Sequence, residues 1–114
     1  ICLQVNIDRE PNKSGLLAEQ LAEVANAVLQ LPGLRLRGLM AIPEPRSDCA
    51  GQRAAFAAVR TLYEQLNASL PALSAVPLDT LSMGMSGDLE AAIAEGATIV
   101  RVGSDIFGAR APLS

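Results

Sequence analysis

Two small-residue segments near the end of the chain carry the chemistry that residue type and spacing suggest. They are Gly84-Met85-Ser86-Gly87 and Gly103-Ser104. Each closes a short apolar run, residues 81–85 and 98–102, that reads as a strand. Between them residues 88–95 read as a helix, closed by Gly96 where a left-handed residue is wanted. In a barrel of alternating strands and helices, loops of this kind after successive strands turn hydroxyls and exposed backbone N–H groups toward a phosphate. Ser86, Gly103 and Ser104 are therefore the candidate anion ligands. Ser86 offers a hydroxyl and is expected to cap the following helix; Gly103 permits close backbone approach; Ser104 offers a second hydroxyl. Taken alone, Ser86 reads as a plain N-cap. A second loop of the same kind one unit later is what favours a ligand.

Arg101 is the fourth candidate. Along residues 98–103, Ile99, Arg101 and Gly103 fall on one face and Thr98, Val100 and Val102 on the other. The second set suits a helix layer, which directs Arg101 to the opposite face, close to the C-terminal end of its strand. A snorkelling or carboxylate-paired arginine would satisfy the same spacing.

The elements that must position these residues alternate along the chain. Ile1, Leu3, Val5 and Ile7 alternate with Cys2, Gln4 and Asn6 as a first strand, one that opens the chain directly and expects neighbours on both sides. After a polar loop, residues 16–30 read as a helix with Leu17, Leu21, Val24, Ala25 and Val28 apolar, ended by Pro32-Gly33. Residues 34–42 form a second strand, followed by a turn with Pro43, Pro45 and Ser47. Residues 50–70 form a long helix in which Ala54, Phe56, Val59, Leu62, Tyr63 and Leu66 can face a sheet. Pro71 and Pro77 bracket the linker to the third strand. Four strands alternating with helices imply a parallel α/β sheet.

Composition sets wider bounds. The chain has 114 residues, half of them hydrophobic, and a net charge of −3, which suits one compact domain. No apolar run reaches the roughly 20 residues of a membrane span and no leader pattern opens the chain, so a cytoplasmic protein without a membrane partner is expected. Cys2 and Cys49 lack metal-ligand spacing, and with no histidine neither a metal centre nor a Ser-His pair is expected. Acidic balance and only three aromatics, Phe56, Tyr63 and Phe107, argue against a nucleic-acid partner.

The motifs LSMGMS at 81–86, D-x-E-A-A-I-A-x-G at 88–96 and VR-x-G-S-x-IFGAR at 100–110 resemble the C-terminal signature of the pyridoxal phosphate homeostasis proteins, the YggS/PROSC type. Asn6, Lys13-Ser14-Gly15 and the stretch LRGLMAIP at 36–43 follow in the same order and spacing. The resemblance covers nearly the whole chain. It implies that residues 1–114 are a single partial domain, the C-terminal half, about four βα units, of a TIM-type (β/α)8 barrel like the alanine racemase N-terminal domain, the fold type III barrel of pyridoxal 5′-phosphate (PLP) proteins. It implies PLP as cofactor, with Ser86, Gly103 and Ser104 at its phosphate and Arg101 near its pyridine nitrogen, where a permanent cation disfavours ring protonation. Asp105 stands at a position variable in the family, and its carboxylate is expected to point outward.

The same resemblance places the Schiff-base lysine at the end of the first barrel strand, in a half that these residues do not include. Lys13, the only lysine, matches instead a rim lysine after a later strand, or is simply a solvated loop charge. The implied function is non-enzymatic PLP homeostasis, as carrier or buffer. The alternatives are a racemase or decarboxylase on the same barrel, or a sugar-phosphate isomerase using the phosphate loops. A racemase of this type commonly needs a tyrosine base, and Tyr63 falls on a helix remote from the strand ends. A monomer is expected for the full-length protein. The isolated half, with an uncovered inner face, is expected to self-associate and to give no borohydride-trapped adduct on Lys13.

Overall fold

The computed structural model describes residues 1–11, 13–70 and 77–108. Three strands, β1 (Cys2–Gln4), β2 (Gly38–Ala41) and β3 (Thr80–Met83), form a parallel sheet in the order β1-β2-β3. Leu3 pairs with Leu39 and Leu39 with Leu81, so apolar residues of all three strands fall in one row on one face. The helices α1 (Leu21–Leu29), α2 (Cys49–Ser69) and α3 (Leu89–Ala94) supply the core partners of that face. Leu3, Leu39, Leu81 and Met83 pack there with Leu21, Ala25, Phe56, Val59, Leu66 and Ala92. Among the described residues no helix is long and apolar enough to cross a membrane.

The other face carries Gln4, Met40 and Ser82, which are in register and partly exposed. Ile99 and Ile42, 49% and 37% exposed, continue it. No helix covers this face among the described residues, and its composition is mixed rather than uniformly apolar.

Several elements are shorter than the periodicity predicts. The first strand ends early because the chain doubles back on itself: Asn6 N–H donates to Leu16 O and Leu16 N–H to Gln4 O, which makes Leu16 a bridge partner of Val5. Leu16 therefore does not start the helix. A 3-10 turn, Ala18–Gln20, precedes α1 instead. In the long helix the sheet-facing alanine is the buried Ala55 and not Ala54, which is exposed; Phe56, Val59 and Leu66 are buried as expected.

The fourth strand is reduced to a single bridge, Ser82 to Ile99. Its ladder begins with a side chain: Thr98 Oγ1 accepts from Leu81 N–H at 2.8 Å, where a main-chain carbonyl would continue the pairing. Thr98 and Ile99 N–H then both donate to Leu81 O, Met83 N–H to Ile99 O and Arg101 N–H to Gly84 O. Residues 98–101 thus still run alongside β3. The expected turn at 106–108 is a one-turn helix, α4 (Ser104–Phe107). The linker read from Pro71 to Pro77 lies outside the described residues except at its end.

The N-terminal edge of the sheet is clamped by charge. Arg37 donates to Asp79 through Nε and Nη2, both at 2.8 Å. The hydrogen bonds from the Arg37 guanidinium and from the Thr80 hydroxyl, with the guanidinium's charge, hold the Asp79 carboxyl down at about 2. A carboxyl lowered in the folded state stabilises fully above its unfolded value of about 3.9 and loses that contribution as pH falls toward about 2. Thermal midpoints measured across that window are expected to fall, and Asp79→Asn to flatten this part of the profile. A variant profile parallel to wild type would show that the clamp does not couple to folding.

Candidate functional site

The two candidate loops leave the C-terminal edge of the sheet side by side, tied by Arg101 N–H to Gly84 O at 2.9 Å. Gly84 makes that departure possible. Its φ is +103°, and a Cβ there would lie 2.6 Å from Ala92 Cβ and 3.2 Å from Val100 Cγ1. Beyond it, Met85 and Asp88 close a tight turn: Met85 N–H donates to Asp88 Oδ1 at 2.8 Å and Asp88 N–H to Met85 O at 3.1 Å. Asp88, not Ser86, is the N-cap residue of α3.

Ser86 has a different task from the capping role expected of it. Its Oγ accepts from Asp105 N–H at 3.2 Å, joining the first loop to the second. With an acceptor lone pair so engaged, the hydroxyl proton remains free to donate. In the second loop Gly103 is the N-cap of α4, and its carbonyl accepts from Ile106 and Phe107 N–H. The N–H groups of Ser86, Gly87, Gly103 and Ser104 donate to no other described residue. All four residues line one hollow of about 510 Å³, together with Met85 and Phe107. That size falls in the range of small-molecule sites. Asp105 is not among the residues lining that hollow; it lines a second one with Cys49, Gln52 and Glu90, to which Ser86 and Gly87 also contribute.

Arg101 stands apart from this hollow. Val100 approaches Gly84 and Ala92 on the helix side, so Arg101 takes the open face, as the alternation requires. Its Nη2 donates to Ala41 O at 3.2 Å, reaching across the sheet edge to the end of β2. Its Nε is buried and finds no acceptor among the described residues. The guanidinium is therefore neither carboxylate-paired nor snorkelling among those residues; it is held by a main-chain carbonyl with one donor unsatisfied.

Further groups sit on the same rim. Lys13 lines a smaller hollow, about 210 Å³, with Met85, Gly87 and Asp88, and its Nζ lies 3.2 Å from Glu10 Oε1. Asp8 receives Arg46 Nη2 at 2.5 Å and Glu44 N–H at 2.6 Å. Burial pushes the Asp8 carboxyl up, but these bonds and the guanidinium charge outweigh it and hold the group below its ordinary value. Asp8, Glu10 and Glu44 bring carboxylate oxygens within 4.8 Å of one another. Two of the three are already engaged by cations, which leaves little charge for a metal ion. Tyr63 is far from the loops in function as well as in sequence: its hydroxyl donates to Leu78 O at 2.7 Å, just before β3 begins. Cys2 and Cys49 are free thiols, and burial raises the Cys2 thiol.

The structure thus gathers Ser86, Gly103 and Ser104 around one hollow and sets Arg101 on the adjoining sheet face. Residue patterns gave no hint of Asp8, Arg46 and Gln52. Gln52 Nε2 donates to Arg46 O at 2.9 Å and to Gly87 O at 3.3 Å, and its partner at Gly87 is 35 residues away.

Comparison with known proteins finds relatives over nearly the whole chain. The family model described as alanine racemase, N-terminal domain, matches residues 1–111. The chain is 59% identical over 110 residues to a pyridoxal phosphate homeostasis protein of Pseudomonas aeruginosa, covering 96% of this chain and 44% of that protein. It superposes on PipY of Synechococcus elongatus solved without PLP, with a TM-score of 0.82 and 40% identity over 94% of this chain and 48% of PipY. For PipY with PLP bound the TM-score is 0.80 and the identity 38%. The chain spans about half the length of the curated relatives it matches.

Proposed function

The chain belongs to the alanine racemase N-terminal-domain family, and from that footing we propose that its two rim loops hold the phosphate of PLP in a protein that carries or buffers this cofactor without turning it over. The observation that supports this reading is the shared hollow. Four of the residues that line it carry backbone N–H groups without acceptors among the described residues, and two of these, Ser86 and Ser104, carry hydroxyls. An anion with several acceptor oxygens meets such a donor set, and each charge-assisted bond is worth on the order of 1.5–3 kcal/mol. The homeostasis name of the P. aeruginosa relative and the PLP bound to PipY point the same way.

When bound, PLP supplies an aldehyde that reacts with amines and a ring that can withdraw electrons. The residues of this chain suit retention better than catalysis. Ser86 and Ser104 donate to phosphate while Asp88 is folded into its own turn, away from that anion. Arg101 presents a planar fork of N–H donors and no acceptor, which suits holding a ligand better than taking a proton from it. Its buried, unpaired Nε is a donor that an acceptor arriving on the open face would satisfy. Lys13 is paired with Glu10 and Tyr63 is bonded at the opposite edge, which leaves a racemase or decarboxylase reading without an evident base among the described residues.

The finer architecture, the C-terminal half of a closed barrel, is part of the same proposal. It is supported by the parallel order β1-β2-β3, by residues 98–101 running alongside β3, and by the uncovered face carrying Gln4, Met40, Ser82 and Arg101. In a closed barrel that face would be the interior.

Titration of the protein is expected to show saturable PLP binding, markedly weaker binding of pyridoxal without its phosphate, and no racemisation or decarboxylation of amino acids. Turnover at enzymatic rates would overturn the non-enzymatic reading. Arg101→Glu is expected to shift the absorption of bound PLP while phosphate-dependent binding persists; a spectrum identical to wild type would assign Arg101 to its Ala41 contact alone.

A further inference from the structure

The hydrogen bonds of Gln52 link two strand-end loops across the rim, and we infer that Gln52 is the positioning residue that holds the Ser86-Gly87 loop in its anion-receiving form. The inference rests on the phosphate reading of that loop for its consequence, though not for its geometry. Gln52 lies in the first turn of α2, a helix whose start is secured by Asp48, with its carboxylate accepting Gly51 N–H at 2.7 Å. Its amide donates to two carbonyls, Arg46 O and Gly87 O. Because both partners are acceptors, only an NH₂ group fits, and the orientation of the amide is settled by chemistry. Behind Arg46 stands Asp8, so the link runs from the loop after β1, through the loop after β2, to the loop after β3.

The Met85–Asp88 turn closes the ends of the receiving loop, and few contacts from outside the turn reach the two residues within it. A Cβ built at Gly87 would meet nothing within 4 Å, so side-chain packing around that residue is absent. Among the described residues, two hydrogen bonds reach residues 86–87 from elsewhere in the fold: Gln52 to Gly87 O and Asp105 N–H to Ser86 Oγ. The second joins it to another exposed loop. The first is the anchor to a long, packed helix. Fixing the Gly87 carbonyl holds the Gly87–Asp88 peptide plane and, through the ψ of Gly87, restricts the adjoining peptides that carry the Ser86 and Gly87 N–H groups. Such preorganisation removes an ordering cost from binding.

Two substitutions test this. Gln52→Met keeps the length and volume of the side chain and removes both donors; Gln52→Glu replaces the donors with an acceptor facing two carbonyls. In the ligand-free protein, ¹⁵N order parameters at Ser86 and Gly87 are expected to fall in both variants, with thermal midpoints nearly unchanged. PLP and inorganic phosphate are expected to bind about 5–10-fold more weakly, as for loss of about one neutral hydrogen bond. Pyridoxal, which lacks the phosphate, should bind as to wild type. Unchanged order parameters would overturn the inference whatever the ligand does, and so would an equal loss of PLP and pyridoxal affinity. A wild-type protein that fails to prefer PLP over pyridoxal would instead refute the phosphate reading, leaving the order parameters to decide on Gln52.

Discussion

Gly84→Ala is expected to destabilise the protein by about 2–5 kcal/mol, the sum of a positive-φ penalty of about 1–2 and an overpacking cost of about 1–3. Gly84 sits where β3 ends, at φ +103°, and an added methyl carbon would stand 2.6 Å from Ala92 Cβ. Ala92 is fully buried in α3, so the contact cannot be relieved by a flexible side-chain end. Relief requires α3 or residues 98–101 to move. Either movement strains the Arg101 N–H to Gly84 O bond that keeps the two rim loops adjacent, so PLP binding should weaken with stability. Gly87→Ala is the matched control: its φ is not positive and its surroundings are empty, so denaturation midpoints should stay within about 0.5 kcal/mol of wild type. Denaturant titration of both variants checks the contrast. Equal midpoints for Gly84→Ala and wild type would mean that the loop junction is far more pliable than its contacts indicate.

The double substitution Ser86→Ala with Ser104→Ala is expected to weaken PLP binding by somewhat over a hundredfold. Each hydroxyl donating to a phosphate is assigned the lower end of the charge-assisted range, about 1.5 kcal/mol, because the site is open to water; two give about 3 kcal/mol. The single variants should differ. Ser86→Ala also strips Asp105 N–H of its acceptor and frees the second loop from the first, so its effect should exceed that of Ser104→Ala. The backbone N–H groups survive in all three variants and should leave measurable residual binding. Affinity for pyridoxal is expected to change little. An unchanged Kd for PLP in the double variant would remove both serines from the phosphate site.

What could be read from the residues is what short-range periodicity controls. Gly96 was legible as a helix end, and it has φ +98°, with Ala97 N–H bonded to Ala92 O and Gly96 N–H to Ile93 O, the paired bonds of a left-handed helix stop. The two-residue alternation along 98–103 set Val100 beside Gly84 as expected, but Thr98 and Val102, expected on the same covered face, are exposed. The two loops of small residues stood out as candidate donors because small side chains leave room for close approach to the backbone.

Tertiary structure decided the rest, because each remaining outcome depends on a partner distant in sequence. Ser86 is a tie between loops and not a helix cap, since Asp105 N–H, 19 residues on, claims its oxygen. Thr98 interrupts the fourth strand because its side chain captures Leu81 N–H across 17 residues. Ala55 displaces Ala54 from the core by one position, a rotation of α2 that apolar spacing alone leaves undetermined when both residues are alanine. Arg101 finds Ala41 O across 60 residues, and Gln52 finds Gly87 O across 35. Main-chain carbonyls are present at every position and carry no residue-specific mark, so which side chain claims which of them is set only when the strands pair and bring the loops to a common edge.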